Sequence, residues 1–146
     1  KLAGNFNSEI LHNEVIKYDG WKKVDELGYL DRRMVPKLLS QVRAGIVLYL
    51  PFPNHINAQP NKMFEYMSAG IPIIASNYPL WKKIIEHEQC GICIDPTDPV
   101  LIAETIDWVM EHPKDAEKMG NNGIEAIKKY NWDIESKKLL EAYNSL

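Results

Sequence analysis

The residues best suited to chemistry stand together between Pro60 and Ser76. Asn61, Lys62, Met63 and Glu65 directly follow or closely follow a proline, and Met63, Phe64 and Met67 give the segment an apolar side, so it reads as the opening turns of a helix. The first amides of a helix have no intrahelical carbonyl to bond, and the macrodipole makes that end positive. Such a helix start is an anion site, well suited to phosphate, and Lys62 adds a full positive charge there. Glu65 lies one turn further in, where its carboxylate can accept hydrogen bonds from sugar hydroxyls.

The surrounding elements place that helix start at the mouth of a sheet. Gly70 suits the left-handed residue that ends a helix. Ile71, Pro72, Ile73, Ile74 and Ala75 then form a short apolar, β-branched run, the signature of a buried parallel strand. Upstream, Lys1 to Gly4 reads as the end of a strand. Asn7 or Ser8 caps a helix to about Tyr18, with Ile10, Leu11, Val15 and Ile16 inward. Val24 to Leu27 is a short strand ending at Gly28. Asp31 caps a helix over Val35 to Val42. Gly45 to Leu50 is wholly apolar and reads as a central strand. Pro51 to Pro60 has three prolines and no periodicity, so it is a loop of the functional kind.

Downstream, Pro79 opens a helix with Leu80, Ile84 and Ile85, and Ile92 to Ile94 is the last strand. Asp98 and Pro99 start a helix carrying Ile102, Ile106 and Val109; His112 and Pro113 start another, weakened in propensity by Gly120 and Gly123. A final helix follows Trp132, with Leu139, Leu140, Tyr143 and Leu146. Strands alternating with helices predict an α/β fold with a parallel sheet and helices on both faces.

The chain has 146 residues, 45% of them hydrophobic and 25% charged, so one globular domain is expected. The net charge of −3 gives no broad basic surface for nucleic acid. Two cysteines do not make a disulfide framework, and a reducing, cytoplasmic setting is the default. No apolar run approaches membrane-spanning length, and the opening Lys1-Leu2-Ala3-Gly4 reads as that of a fragment or processed piece.

The run Asn61-Lys62-Met63-Phe64-Glu65-Tyr66-Met67-Ser68-Ala69-Gly70-Ile71-Pro72, with Ala75-Ser76 after it, resembles the donor-site segment of glycogen-synthase-like retaining glycosyltransferases of the GT-B fold. Gly91 to Pro96 resembles the family's Gly-x-x-x-x-Pro strand, and Tyr130-Asn131-Trp132 its closing element. Glu26 to Leu30 and Ala44 to Pro51 fit its two preceding strands. The resemblance covers nearly the whole chain. It implies the Rossmann-like C-terminal half of a GT-B enzyme without its first strand, a single truncated nucleotide-sugar-binding domain over residues 1–146. On that alignment a gap, or a strand from elsewhere, falls between the Leu2 strand and the Ile46 strand.

The resemblance also implies roles. Glu65 matches the second Glu of the family's Glu-x7-Glu pattern, which binds the nucleotide ribose; on composition alone it is an ordinary helix Glu. The first Glu, which meets the donor sugar and its phosphate, is replaced by Asn57, which carries no charge and cannot act as a base. Asn57 is equally a turn-forming loop residue. Lys62 either meets the diphosphate or points to solvent while the amides of Asn61 to Met63 bind it. Gly28, Tyr29 and Leu30 sit where the family contacts the nucleobase, with Tyr29 either stacking on the base or supporting the loop.

The implied activity is transfer of a glycosyl group from a nucleoside diphosphate sugar to an acceptor hydroxyl. The acceptor would be held by an N-terminal domain missing here, so the piece alone is expected to be inactive. No cofactor or metal is implied, and peripheral membrane contact of the full-length enzyme is compatible with this reading. The alternatives are a non-catalytic nucleotide or nucleotide-sugar-binding module, which Asn57 favours, and a flavodoxin-like or receiver domain.

Other candidates have plainer readings. Cys90 and Cys93 lead into a strand rather than opening a helix, so they read as structural thiols. Asp95 to Asp98 superficially suggests a metal carboxylate motif, but Asp98-Pro99 is better explained as a helix cap. His55 lies near Asn57, within reach of donor or acceptor. His12, His87 and His112 read as surface residues. Trp21, Trp81, Trp108 and Trp132 are scattered and read as packing or rim residues.

Overall fold

The computed structural model describes residues 1–145; Leu146, expected on the last helix, lies outside the described residues. The chain divides into two compact units, Lys1–Leu38 and Leu39–Leu146.

In the first unit, β1 (Leu2–Ala3) pairs in parallel with β2 (Glu26–Gly28), with Leu2 opposite Glu26 and Ala3 opposite Gly28. Between them lie α1 (Glu9–Val15) and a 3-10 turn over Asp19–Lys23. Ser8 caps α1, its hydroxyl accepting the Leu11 amide at 3.2 Å, as the sequence predicts. The expected inner face of α1 differs: Ile10, Leu11 and Ile16 are exposed and no α1 residue is buried. A two-stranded ladder offers too little apolar surface to cover a helix. A cluster of aromatic and polar side chains ties this unit instead. Phe6 stacks on His12 at 4.7 Å, and His12 Nε2 lies 3.1 Å from Glu26 Oε2 on β2. Asp31 caps the 3-10 turn Arg32–Met34, which leads into α2 (Val35–Leu39).

In the second unit, β3 (Gly45–Val47), β4 (Ile73–Ser76) and β5 (Gly91–Ile94) form a parallel sheet in the order β3-β4-β5. Pairing within each ladder is parallel, as expected, but the described strands form two ladders rather than one sheet. β4 is buried throughout and splits the core by its alternation. Ile73 and Ala75 join Val47, Met63, Met67, Trp81 and Ile85 on one face. Ile74 joins Ile94, Val109 and Ala116 on the other. One face is covered by α4 (Asn61–Ala69) and α5 (Pro79–Ile85), the other by α6 (Pro99–Glu111), and α7 (Pro113–Ile127) contributes to both. A one-turn helix α3 (Pro53–Ile56) interrupts the expected loop, and α8 (Trp132–Asn144) ends the described chain.

Local features of this unit have physical causes. The β3 ladder stops at Val47, short of the predicted Leu50, and β3 is the edge of its sheet with Ile46 exposed. The Ser76 side chain takes over the pairing there: its hydroxyl accepts the Tyr49 amide at 2.9 Å and donates to the Tyr49 carbonyl at 3.0 Å. Gly120 and Gly123, weak in helix propensity, are buried together with Ala116 and Ala126. They form a small-residue face of α7 that lets α4 come close. Gly45 is glycine for a similar reason, since a Cβ there would meet the Tyr66 ring at 2.2 Å.

Candidate functional site

Because the strands are parallel, the helices that follow β3, β4 and β5 all begin at one edge of the sheet, the edge where open α/β sheets bind ligands. Pro60 is the N-cap of α4, with no side-chain hydrogen bond closing the helix start. The amides of Asn61 and Lys62 belong to the first turn, which intrahelical bonding leaves unsatisfied. The Met63 amide is already engaged, donating to the Pro60 carbonyl at 3.1 Å. The Met63 side chain is fully buried in the core. Of the three expected amide donors, two therefore remain available.

Asn61, Lys62 and Glu65 are exposed, and their i, i+3 and i+4 spacing puts them along one face of α4. Met63 and Met67 anchor the opposite face. Gly70, left-handed at φ 68°, ends the helix as its position in the sequence predicts. The result is a rigid helix presenting two amides, an ammonium and a carboxylate to solvent.

The loop that leads into α4 is fastened at both ends by residues from beyond β4. Tyr78 donates its hydroxyl to the Tyr49 carbonyl, beside the Ser76 contact. Burial pushes the Tyr78 phenol up from its usual range, so it stays a donor. At the other end the buried Trp81 indole donates to the Ala58 carbonyl at 2.6 Å. Between them, the His55 ring contacts Tyr49 and Phe52 at centroid distances of 5.0 and 5.6 Å. His55 Nδ1 lies 2.9 Å from the Leu50 carbonyl; since a carbonyl only accepts, Nδ1 carries the proton. Asn57, the C-cap of α3, is exposed on this loop.

In the first unit, Gly28 takes φ 62° and ends β2, a conformation that favours glycine. Tyr29 follows with 78% of its surface exposed, and Leu30 is half-buried. Tyr29 thus presents a free aromatic face.

A groove of about 690 Å³ opens beside the α4 start, lined by Asn61, Phe64, Lys83, His87, Trp132 and Lys138 among others. Of these, the sequence singles out Asn61 alone as a site residue. Lys83 and Lys138 have no motif to announce them; only the packing of α5 and α8 brings them near Asn61. Trp132 is 71% exposed, a rim residue as expected.

The plainer readings hold for Asp98, the two cysteines and Trp81, whereas His12 and His112, expected at the surface, are half-buried against Phe6 and Trp108. Asp98 caps α6, accepting the Val100 and Leu101 amides at 3.0 Å each. Cys90 and Cys93 are free thiols, and burial pushes them up to about 11 and about 12, so both are protonated at neutral pH. Trp81 is fully buried. No described helix is long and apolar enough to cross a membrane.

Residues 2–126 match the model of the family described as glycosyl transferases group 1. The D-rhamnosyltransferase WbpZ of Pseudomonas aeruginosa is 28% identical over 106 residues, covering 70% of this chain and 26% of that protein. An uncharacterized glycosyltransferase of Methanocaldococcus jannaschii is 30% identical over 122 residues, covering 83% of this chain and 30% of that protein. The chain therefore spans between a quarter and a third of these curated relatives. Among solved structures, the sucrose-phosphate synthase of Thermosynechococcus elongatus superposes with a TM-score of 0.76 at 23% identity, over 92% of this chain and 33% of that one. That likeness bears out the α/β, Rossmann-like GT-B fold expected from the sequence. With parallel strands, helices on both faces and a family match over most of its length, the chain belongs to the glycosyl transferases group 1 family.

Proposed function

We propose that this chain is the donor-binding part of a retaining glycosyltransferase, holding a nucleoside diphosphate sugar for transfer to an acceptor hydroxyl. The observation that carries the reading is the exposed face of α4, where Asn61, Lys62 and Glu65 line up at the ligand-binding edge of a parallel sheet. The Asn61 and Lys62 amides and the Lys62 ammonium face negative charge growing on the leaving diphosphate. Glu65 accepts the two ribose hydroxyls and so fixes the nucleotide. Asn57 contacts the donor sugar by hydrogen bonding alone. The acceptor falls to the remainder of a longer protein, in keeping with relatives of which this chain covers only 26% and 30%. Free, protonated thiols at Cys90 and Cys93 fit work in a reducing compartment such as the cytoplasm.

A second reading is a nucleotide-sugar-binding module without catalysis, favoured by the uncharged Asn57. Calorimetric titration of the chain with UDP, GDP, ADP and CDP tests the shared claim. One of them is expected to bind at a single site, and failure of all four would overturn both readings. Transfer from a labelled nucleotide sugar by the full-length protein separates the two.

A further inference from the structure

Trp81 and Tyr78 do not reach the exposed face of α4, yet they are placed to govern it. The segment from Tyr49 to Pro60 leaves β3 at the sheet edge and returns to start α4. Its backbone forms no strand, and α3 supplies only one turn of regular structure. Its two ends are held by side chains of one short stretch, Ser76 to Trp81. Ser76 and Tyr78 grip the Tyr49 peptide, and Trp81 grips the Ala58 carbonyl. All three are almost fully buried, with exposures of 0% for Ser76, 5% for Tyr78 and 0% for Trp81. They are also mutually braced, since the Tyr78 and Trp81 rings meet edge-on at 5.0 Å and Tyr49 meets Trp81 at 5.6 Å. Ala58 is adjacent to Asn57 and two residues before Pro60, the N-cap of α4.

Resting on the donor-site reading above, we propose that Trp81 is a positioning residue for the nucleotide-sugar site, acting with Tyr78 as a clamp on the loop that presents Asn57 and the α4 start. The indole N–H is the feature that matters. An aromatic chosen only to fill the core needs no donor, whereas this donor meets a main-chain carbonyl in a segment without ladder partners of its own. Without the clamp the loop samples several positions, and a ligand must select the competent one, lowering its apparent affinity by the fraction of chains that hold it.

The test pairs Trp81→Phe with Tyr78→Phe. The first removes the indole N–H and part of the ring; the second removes one hydroxyl and keeps the ring, so it remains informative if the first is too unstable. Each is titrated with whichever of UDP, GDP, ADP and CDP the wild-type chain binds best. Amide exchange is followed at Ile56 and Ala58 in the loop and at Glu86 at the end of α5. The expected result is at least fivefold weaker binding in both variants, with faster exchange at Ile56 and Ala58 and unchanged exchange at Glu86. Wild-type affinity in both variants would overturn the clamp and leave the donor site standing. Equal acceleration at all three amides would reduce Trp81 to a core residue and also overturn it. No binding of any nucleotide by the wild type would remove the donor site, and the clamp with it.

Discussion

Gly120 on α7 lies so close to Gly70 at the end of α4 that a Cβ on Gly120 would stand 2.0 Å from the Gly70 carbonyl oxygen. That neighbour is backbone at a left-handed helix end, so it cannot swing aside as a flexible side chain would. Gly120→Ala should therefore push α4 and α7 apart and cost about 1–3 kcal/mol, the usual penalty of overpacking. Urea unfolding measures it. A loss below about 0.5 kcal/mol, the range of harmless substitutions, would show that the helices do not touch as described.

Glu88 offers a pH test. Its carboxylate accepts from the Lys129 ammonium at 3.0 Å and from the Tyr130 hydroxyl at 3.2 Å, and these contacts hold its pKa below the usual range for Glu. A depressed folded-state value means the stabilisation is full above the unfolded-state value and fades as pH falls through it toward the folded one. The wild type should lose stability between neutral pH and pH of about 3 more steeply than Glu88→Gln, which cannot titrate. At pH 7 the variant should lose about 0.5–1 kcal/mol, in the range for a partly exposed ion pair. Parallel acid-unfolding curves would contradict the assignment.

Cys90 and Cys93 should resist alkylation in the folded chain. Burial pushes both thiols up to about 11 and about 12, and Cys90 is fully enclosed. Thiolate is the reactive form, so iodoacetamide at pH 8 should label both only after denaturation. Rapid native labelling of Cys90 would mean that the β5 side of the core opens.

Much of this arrangement was legible in the residues. The apolar run ending at Ser76 marked the buried strand, Gly70 the end of α4, Asp98 the cap of α6, and the Pro60 segment the exposed helix start. What failed to show depends on contacts distant in sequence. Nothing near Leu48 says that β3 will stop early; the cause is a hydroxyl 27 positions away from Tyr49. Gly120 and Gly123 looked like weak points because propensity is local, whereas their reason is the approach of α4. Trp81 looked like packing because an indole donor has no sequence signature. The expected inner face of α1 failed because periodicity reports an apolar stripe, not whether anything covers it.

Lys62 sets up a charge test of the proposed diphosphate contact. Lys62→Ala should weaken nucleoside diphosphate binding by about three- to tenfold at low salt, and the difference should shrink at 0.5 M salt as screening takes over, since the group is exposed. Calorimetry at the two salt concentrations checks this. Unchanged affinity at low salt would assign the phosphate to the Asn61 and Lys62 amides alone.

The central claim is that Glu65, one turn into α4, fixes the ribose of a nucleoside diphosphate. Glu65→Gln keeps the size and the helix but removes the charge, so the measurement is the affinity of wild type and variant for the best-binding nucleoside diphosphate. A charge-assisted hydrogen bond is worth roughly 1.5–3 kcal/mol, so a loss of about ten- to a hundredfold is expected. The matching 2′-deoxynucleotide should lose less on mutation, having one hydroxyl fewer for Glu65 to hold. Equal affinity of wild type and Glu65→Gln for the ribonucleotide would contradict the account.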